Sequence, residues 1–341
     1  MLNTLLKERN LPPLQSREQM LDILQKEVYG YIPAKPESLS FEVVDKVAPS
    51  FCAGKVRGDR VVAHCTIGGK EFSFPFSSVV PVDGEKHPFF IHINFRPDVP
   101  DRYMPTEELV DNGYAVLSFC YNDVVRDNDD FTDGLAGVLY EDGKRGPSDP
   151  GKIAMWAWAA QRLMDYAETL SDELELDKGI ACGHSRLGKT ALLTAATDTR
   201  FAMGYSNDSG CTGAAISRGK EGETVEKICA KFPYWFCENY HRHRGKEQAM
   251  PFDQHYLLAS IAPRPVLVGS ASEDAWADPI SEQLGCLAAA PAFGGDFQCD
   301  RPAQVGDGFL DGRIGYHLRK GLHYFSRTDW LRLMEFAKKH L

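Results

Sequence analysis

What this 341-residue chain lacks narrows the possibilities first. No apolar run reaches the roughly 18–20 residues that span a bilayer, so neither a transmembrane helix nor a membrane partner is expected. The opening "MLNTLLKERNLPPLQS" has too short an apolar patch for the core of an export signal, and no small-residue cleavage site. That points to a cytoplasmic protein, with secretion after removal of a signal as the alternative. Positive charge is scarce: 38 Lys and Arg stand against 48 Asp and Glu, a net charge of −10. A phosphate backbone would want a basic stripe, so no nucleic-acid partner is expected, although one or two local cations would still serve an anionic small substrate. The nine cysteines are odd in number and none forms a CxxC pair, which argues against a zinc framework and favours a reduced compartment. No GxGxxG follows an early strand, which speaks against an oxidoreductase. No cofactor and no metal are expected. Repeats and low-complexity linkers are absent too.

What is present is a large store of apolar side chains, 43% of the residues, enough for a sizeable core. The stretch "REQMLDILQKEVYGYIP" carries apolar residues at helical spacing and stops at Gly30 and Pro33. Residues 40–80 alternate as antiparallel edge strands do. Beyond them, apolar strand candidates at 88–95, 113–122, 179–185, 201–209, 264–272 and 313–320 are separated by helical stretches, the clearest at 152–170, 186–196 and 329–341. Strands alternating with helices predict an α/β fold: a mostly parallel, doubly wound sheet with antiparallel N-terminal edge strands. The expectation is a single domain over residues 1–341, with 1–80 supplying the N-terminal helix and edge strands packed on it. In such sheets function gathers at the carboxyl ends of the strands.

One such end reads "ACGHSRLGKTALLTAA", residues 181–196. Ser185 ends an apolar strand and opens a helix, with Gly183 two places before it. That is where a nucleophile elbow belongs, and the helix offers its first amides to an oxyanion. A helix N-cap serine would look the same, and Gly188 falls one place late for GxSxG. A serine nucleophile needs a base held by an acid. His323 lies in the loop after the last strand, just before the final helix. His317 within that strand, His184 beside the serine and His255 ahead of a strand read as packing or loop support. Two acids compete to orient the base: Asp208 in "SNDSG" and Asp274 in "SASEDAWADP", the later position being favoured. Asp278 reads as a cap before Pro279. Lys189 lies one helical turn beyond Arg186, so both can face one pocket. Phe232 and Trp235 are expected to pack a lid loop.

With "GHSRLGK", "NDSGCTGAA", "GETVEKICAKFPYW", "EDAWADP" and "GYHLRKGLHYFSRTDW" in order, the chain resembles carbohydrate esterase family 15, the glucuronoyl esterases. The resemblance runs from about residue 85 to the end, and the late glycine after Ser-Arg is the family's own elbow. It implies an α/β hydrolase, a three-layer αβα sandwich. It also implies cleavage of the ester between the 4-O-methyl-glucuronic acid of glucuronoxylan and a lignin alcohol. It makes Ser185 the nucleophile, His323 the base and Arg186 an oxyanion donor. Lys189 would face the sugar hydroxyls, and Glu223 and Trp276 would line the uronate pocket. Family members place the acid at either position, and this chain has aspartate at both; both carboxylates are expected near His323. An acetylxylan esterase on the same scaffold and a non-catalytic carbohydrate-binding relative are the alternatives.

Overall fold

The computed structural model describes residues 2–47, 51–295, 297 and 299–341. Among them, ten strands form one sheet: β1 (Ser38–Lys46), β2 (Val56–Ile67), β3 (Lys70–Pro81), β4 (His87–Asn94), β5 (Ala115–Cys120), β6 (Leu174–His184), β7 (Met203–Asn207), β8 (Val266–Ala271), β9 (Gly308–Phe309) and β10 (Ile314–Arg319). Their order is β1-β2-β3-β5-β4-β6-β7-β8-β10-β9. From β5 to β10 the pairings are parallel; β1 to β3 join antiparallel at one edge and the two-residue β9 at the other.

The sequence dictates this division. β5, β7, β8 and β10 are buried at every position, as strands covered on both faces must be. β2 instead alternates between buried and half-buried residues, the mark of an edge region with one wet face. Side chains leave successive residues of a strand on opposite faces. In β4, Phe89, Ile91 and Ile93 therefore join one core while Phe90 joins another.

The helices are α1 (Leu2–Glu8), α2 (Arg17–Leu24), α3 (Thr106–Asp111), α4 (Tyr121–Val124), α5 (Gly134–Leu139), α6 (Lys152–Glu168), α7 (Arg186–Thr197), α8 (Val225–Lys231), α9 (His255–Ala259), α10 (Pro279–Ala289) and α11 (Arg327–His340). Buried faces of α2, α6, α7, α9 and α10 fill the larger core on one side of the sheet. On the other side, Leu109 of α3 and Trp330, Leu333 and Phe336 of α11 pack on Phe90, Ile180, Met203 and Leu267. The result is the three-layer α/β-hydrolase arrangement. α2 continues as a π-helical turn through Tyr29 and stops at Gly30, whose φ is +82°. His255 opens α9 ahead of β8, and its Nε2 lies 3.0 Å from the carbonyl oxygen of Pro12 in the loop between α1 and α2, in keeping with loop support. No helix among the described residues is long and apolar enough to cross a membrane.

The join between β6 and α7 depends on two glycines. A Cβ at Gly183 would lie 2.3 Å from the Leu187 carbonyl oxygen. One at Gly188 would lie 3.0 Å from Ser206 Oγ and 3.2 Å from Ser209 Cβ. Gly183 thus lets the first helical turn fold back over its own strand, and Gly188 lets α7 lie on β7. The second glycine comes late because it serves the helix–sheet contact rather than the turn. Replacing Gly183 by Ala drives a methyl into backbone, and overpacking of this kind costs about 1–3 kcal/mol. The urea midpoint of Gly183→Ala should fall accordingly; an unchanged midpoint would remove this account of the turn.

Candidate active site

Ser185 caps α7 with φ 59° and ψ −128°, a conformation in which a side chain other than glycine's is strained. Its N–H donates to the Asn207 carbonyl at 2.8 Å, carrying the β6–β7 ladder one residue past the strand, and its carbonyl accepts from the Gly188 and Lys189 amides. The residue is over-determined by strand on one side and helix on the other. Arg186, first residue of α7, has no acceptor for its N–H inside the helix.

His323 follows β10, and its Nδ1 lies 2.6 Å from Asp274 Oδ2. Asp274 follows β8. Burial raises its carboxyl pKa, but the hydrogen bond and charge of His323 and the Ala277 amide outweigh that and leave it below the ordinary range. Backbone bonds from Ser272 N to Arg319 O and from Glu273 N to Gly321 O, both 2.9 Å, tie the loop of Asp274 to the loop of His323. Ser185 and His323 border the same cleft. His184 turns away from it, its Nδ1–H donating to Asn207 Oδ1 at 2.6 Å, with its ring 4.4 Å from that of His323. Burial, with His323 beside it, holds His184 well below the usual imidazole range.

Asp208 comes within 4.8 Å of Asp274 and His323, measured between their ligating atoms, but it makes no hydrogen bond to the imidazole. Its Oδ1 accepts from the Ala271 amide at 2.7 Å and its Oδ2 from Arg319 at 3.1 Å. Of the two candidate acids, Asp274 is therefore the one that meets the His323 imidazole. One imidazole and two carboxylates are a plausible cation set by donor type. Here Asp274 serves His323, and both Asp208 oxygens already take donors.

Arg186 crosses the cleft wall rather than reaching into solvent. Its Nη1 donates to Asp127 Oδ2, and its guanidinium stacks 4.7 Å over Trp235 and 5.3 Å over Phe232. Its Nε–H is buried and has no partner among the described residues. Phe232 and Trp235, parallel and 3.9 Å apart, form that wall; the expectation that they pack a lid loop is corrected by their place under the guanidinium. Phe95, after β4, has its amide taken by its neighbour Asn94 Oδ1 at 2.8 Å.

On the same helix face Lys189 is buried, donating to the Ser209 carbonyl at 2.5 Å and lying 3.6 Å from Glu223. Glu223 Oε1 accepts from Trp276 Nε1 at 3.0 Å, and the Glu223 amide donates to the Trp276 carbonyl. Gly222, at φ +66°, lets the two loops touch: a Cβ there would lie 2.3 Å from the Ala275 carbonyl oxygen. Asp278 caps α10 as expected, accepting from the Ser281 amide. The eight residues singled out from the sequence, Asp208 included, all border one cleft or bond directly to a residue that does; its volume is about 130 Å³.

Sequence reasoning missed Asp127. It sits in "RDNDDFTDG", which reads as a solvated acidic loop. Its carboxylate accepts from Tyr121 at 3.0 Å, from Trp235 Nε1 at 2.6 Å and from Arg186. The loop is held from beneath by Lys152 of α6, whose ammonium donates to Arg126 O, Asn128 Oδ1 and Asp130 O at 2.6–3.1 Å. Burial lowers that ammonium to about 8 against the pull of the surrounding aspartates.

A family model described as fungal glucuronyl esterase matches residues 63–293. The carbohydrate esterase MZ0003 of an unknown prokaryotic organism is 40% identical over 249 residues, covering 69% of this chain and 55% of that protein. The chain thus spans little more than half of that relative's length. A 4-O-methyl-glucuronoyl methylesterase of Schizophyllum commune is 26% identical over 333 residues, 90% of this chain and 77% of the other. Among solved structures, a promiscuous CE15 esterase from a marine bacterial metagenome superposes with a TM-score of 0.84 at 31% identity, covering 95% of this chain and 91% of that one. A glucuronoyl esterase from Solibacter usitatus gives 0.85 at 30% identity, with the same coverage.

Behind the site lies Glu282 of α10, wholly buried. Its carboxylate accepts from the Gly210 amide at 2.8 Å, from Ser209 Oγ at 3.3 Å and from Ser270 Oγ at 2.5 Å, bracing the ends of β7 and β8. Burial pushes it from 4.5 to about 7, the hydrogen bonds opposing. Across that window the native chain keeps a proton that the unfolded chain has lost, so this group makes stability fall as pH rises. Glu282→Gln should therefore gain on the wild type between pH 4.5 and 7, by roughly 3 kcal/mol at most, in urea unfolding. Parallel pH–stability curves for the two proteins would contradict this.

Proposed function

The chain belongs to carbohydrate esterase family 15, the glucuronoyl esterases, and from that premise we propose that it is a serine esterase cleaving glucuronoyl esters of glucuronoxylan through an acyl-enzyme. The observation that carries this reading is the convergence of Ser185, the His323–Asp274 pair and Arg186 on one cleft, which Lys189, Glu223 and Trp276 also line.

In this reading Ser185 Oγ attacks the ester carbonyl carbon while His323 Nε2 takes the hydroxyl proton. Asp274 holds the Nδ1–H tautomer and stabilises the imidazolium. Negative charge grows on the carbonyl oxygen, where the Arg186 amide and guanidinium meet it. Such a donor is worth about 3–4 kcal/mol in the transition state. Collapse breaks the ester C–O bond, and the imidazolium returns its proton to the leaving alcohol. Water, deprotonated by the same imidazole, then attacks the acyl carbon and releases the uronic acid and free Ser185.

The cleft is small, well below the roughly 300 Å³ of a drug-sized pocket. Buried Lys189 and Glu223 supply a donor and an acceptor for sugar hydroxyls, and half-exposed Trp276 supplies a face for the ring. An acetyl group offers neither hydroxyl nor ring, which favours a uronate over acetylated xylan.

Assayed side by side, a benzyl glucuronate ester should be hydrolysed far faster than acetylated xylan, and Ser185→Ala should turn over neither while keeping its fold. Turnover by Ser185→Ala, or a preference for the acetyl ester, overturns the reading. Arg186→Lys should lower kcat by about 10²–10³ with KM little changed, because its contact strengthens on the way to the transition state. A change confined to KM would remove Arg186 from that role.

A further inference from the structure

The loop carrying His323 has no regular structure of its own: six residues, 320–325, separate β10 from the cap of α11. What shapes it is a single buried guanidinium. Arg319, last residue of β10, donates from Nη1 to the carbonyls of Lys320 (3.3 Å) and Leu322 (3.1 Å) and from Nη2 to the carbonyl of Tyr324. The Leu322 and Tyr324 carbonyls flank His323 on either side. The loop is therefore wrapped around the guanidinium, with the imidazole on its outer face.

The guanidinium is itself anchored from two other elements. Its Nη2 also donates to Asp208 Oδ2 at 3.1 Å, at the end of β7, and its Nε donates to Asp329 Oδ2 at 2.6 Å, in the first turn of α11. Asp329 Oδ2 in turn caps α11 by accepting from the Ser326 amide and hydroxyl. Arg319, Asp208 and Asp329 are all nearly inaccessible to solvent. Breaking such a buried ion pair from one side is costly, and the planar fork cannot be replaced by a point charge.

We propose that Arg319 is a positioning residue for the base, and that Asp208 acts through it rather than on His323 directly. The carboxylate at the end of β7 fixes the guanidinium, the guanidinium fixes the two carbonyls beside His323, and the imidazole is thereby held in register with Asp274. This gives Asp208 a function consistent with its short aspartate side chain: it reaches Arg319 but makes no bond to the imidazole. The inference rests on the esterase reading for its kinetic consequence, but not for its structural one.

The test is therefore run on two readouts. In the free protein, the Nδ1 proton shared between His323 and Asp274 should give a far-downfield proton NMR signal. In turnover of a benzyl glucuronate ester, kcat and KM are measured separately. Arg319→Lys should keep the native circular dichroism and KM, lose the downfield signal, and lower kcat by about tenfold to hundredfold, the scale on which a misplacement of about 1 Å acts. Adding Asp208→Asn to it should cost little more, since both changes cut the same linkage. Retention of the signal and of kcat in Arg319→Lys overturns the proposal, as do losses from Arg319→Lys and Asp208→Asn that multiply. Should Arg319→Lys not fold, Asp208→Asn alone decides: loss of the downfield signal supports the linkage and its persistence overturns it. A wild type that shows the signal but hydrolyses no glucuronate ester would fail the esterase reading and leave the signal comparison to decide on Arg319.

Discussion

The close approach of Gly183 to the Leu187 carbonyl is the constraint on which the site depends. It allows β6 to turn into α7 within one residue, and that residue must take a left-handed φ. Serine in that position costs about 1–3 kcal/mol, a strain that only a packed strand and helix can hold. In return the hydroxyl stands clear of the sheet's carboxyl edge, and the first amide and first side chain of α7 face the same space. The Ser-Arg pair and Lys189 one turn later follow from this single bend.

Around it, the site is built from buried charges that hold one another in place. Asp127 fixes Arg186 against two stacked aromatic rings, and Lys152 fixes the loop of Asp127. Lys189, Glu223 and Trp276 form a second chain across the cleft. Asp208, Arg319 and Asp329 form a third, behind the histidine. Each of these ions would be costly if left alone, and each is hydrogen-bonded; Asp127 pairs with Arg186, Lys189 with Glu223, and Arg319 with Asp208 and Asp329, while Lys152 is held by two carbonyls and an amide oxygen. A net charge of −10 thus coexists with a cleft lined by two local cations, Arg186 and Lys189.

The fold was legible where burial leaves a periodic trace. The six parallel strands were readable because each carries a short apolar run, and α6, α7 and α11 because each carries an apolar face. The two-residue β9 and the short α9 left no such trace. In the site, Ser185 and His323 were marked by their place at strand ends, and Lys189 by helical spacing from Arg186. Asp127 was hidden, because one acid among several in a loop has no period to betray it. Arg319 was hidden for the opposite reason: a lone arginine at the end of an apolar strand reads as a solvated terminus, and only the fold shows what surrounds it. Trp235 and Phe232 were noticed but misplaced, since the stacking of a guanidinium on them joins residues 46 and more positions apart.

The central claim is that one serine hydroxyl, activated by His323, is the attacking group. Covalent labelling measures this directly. A fluorophosphonate probe should add once, to the peptide carrying Ser185, with loss of turnover in proportion to the adduct seen by mass spectrometry, and His323→Ala should escape labelling. A protein left unlabelled while turnover persists, or an adduct on another residue that abolishes it, would contradict the account.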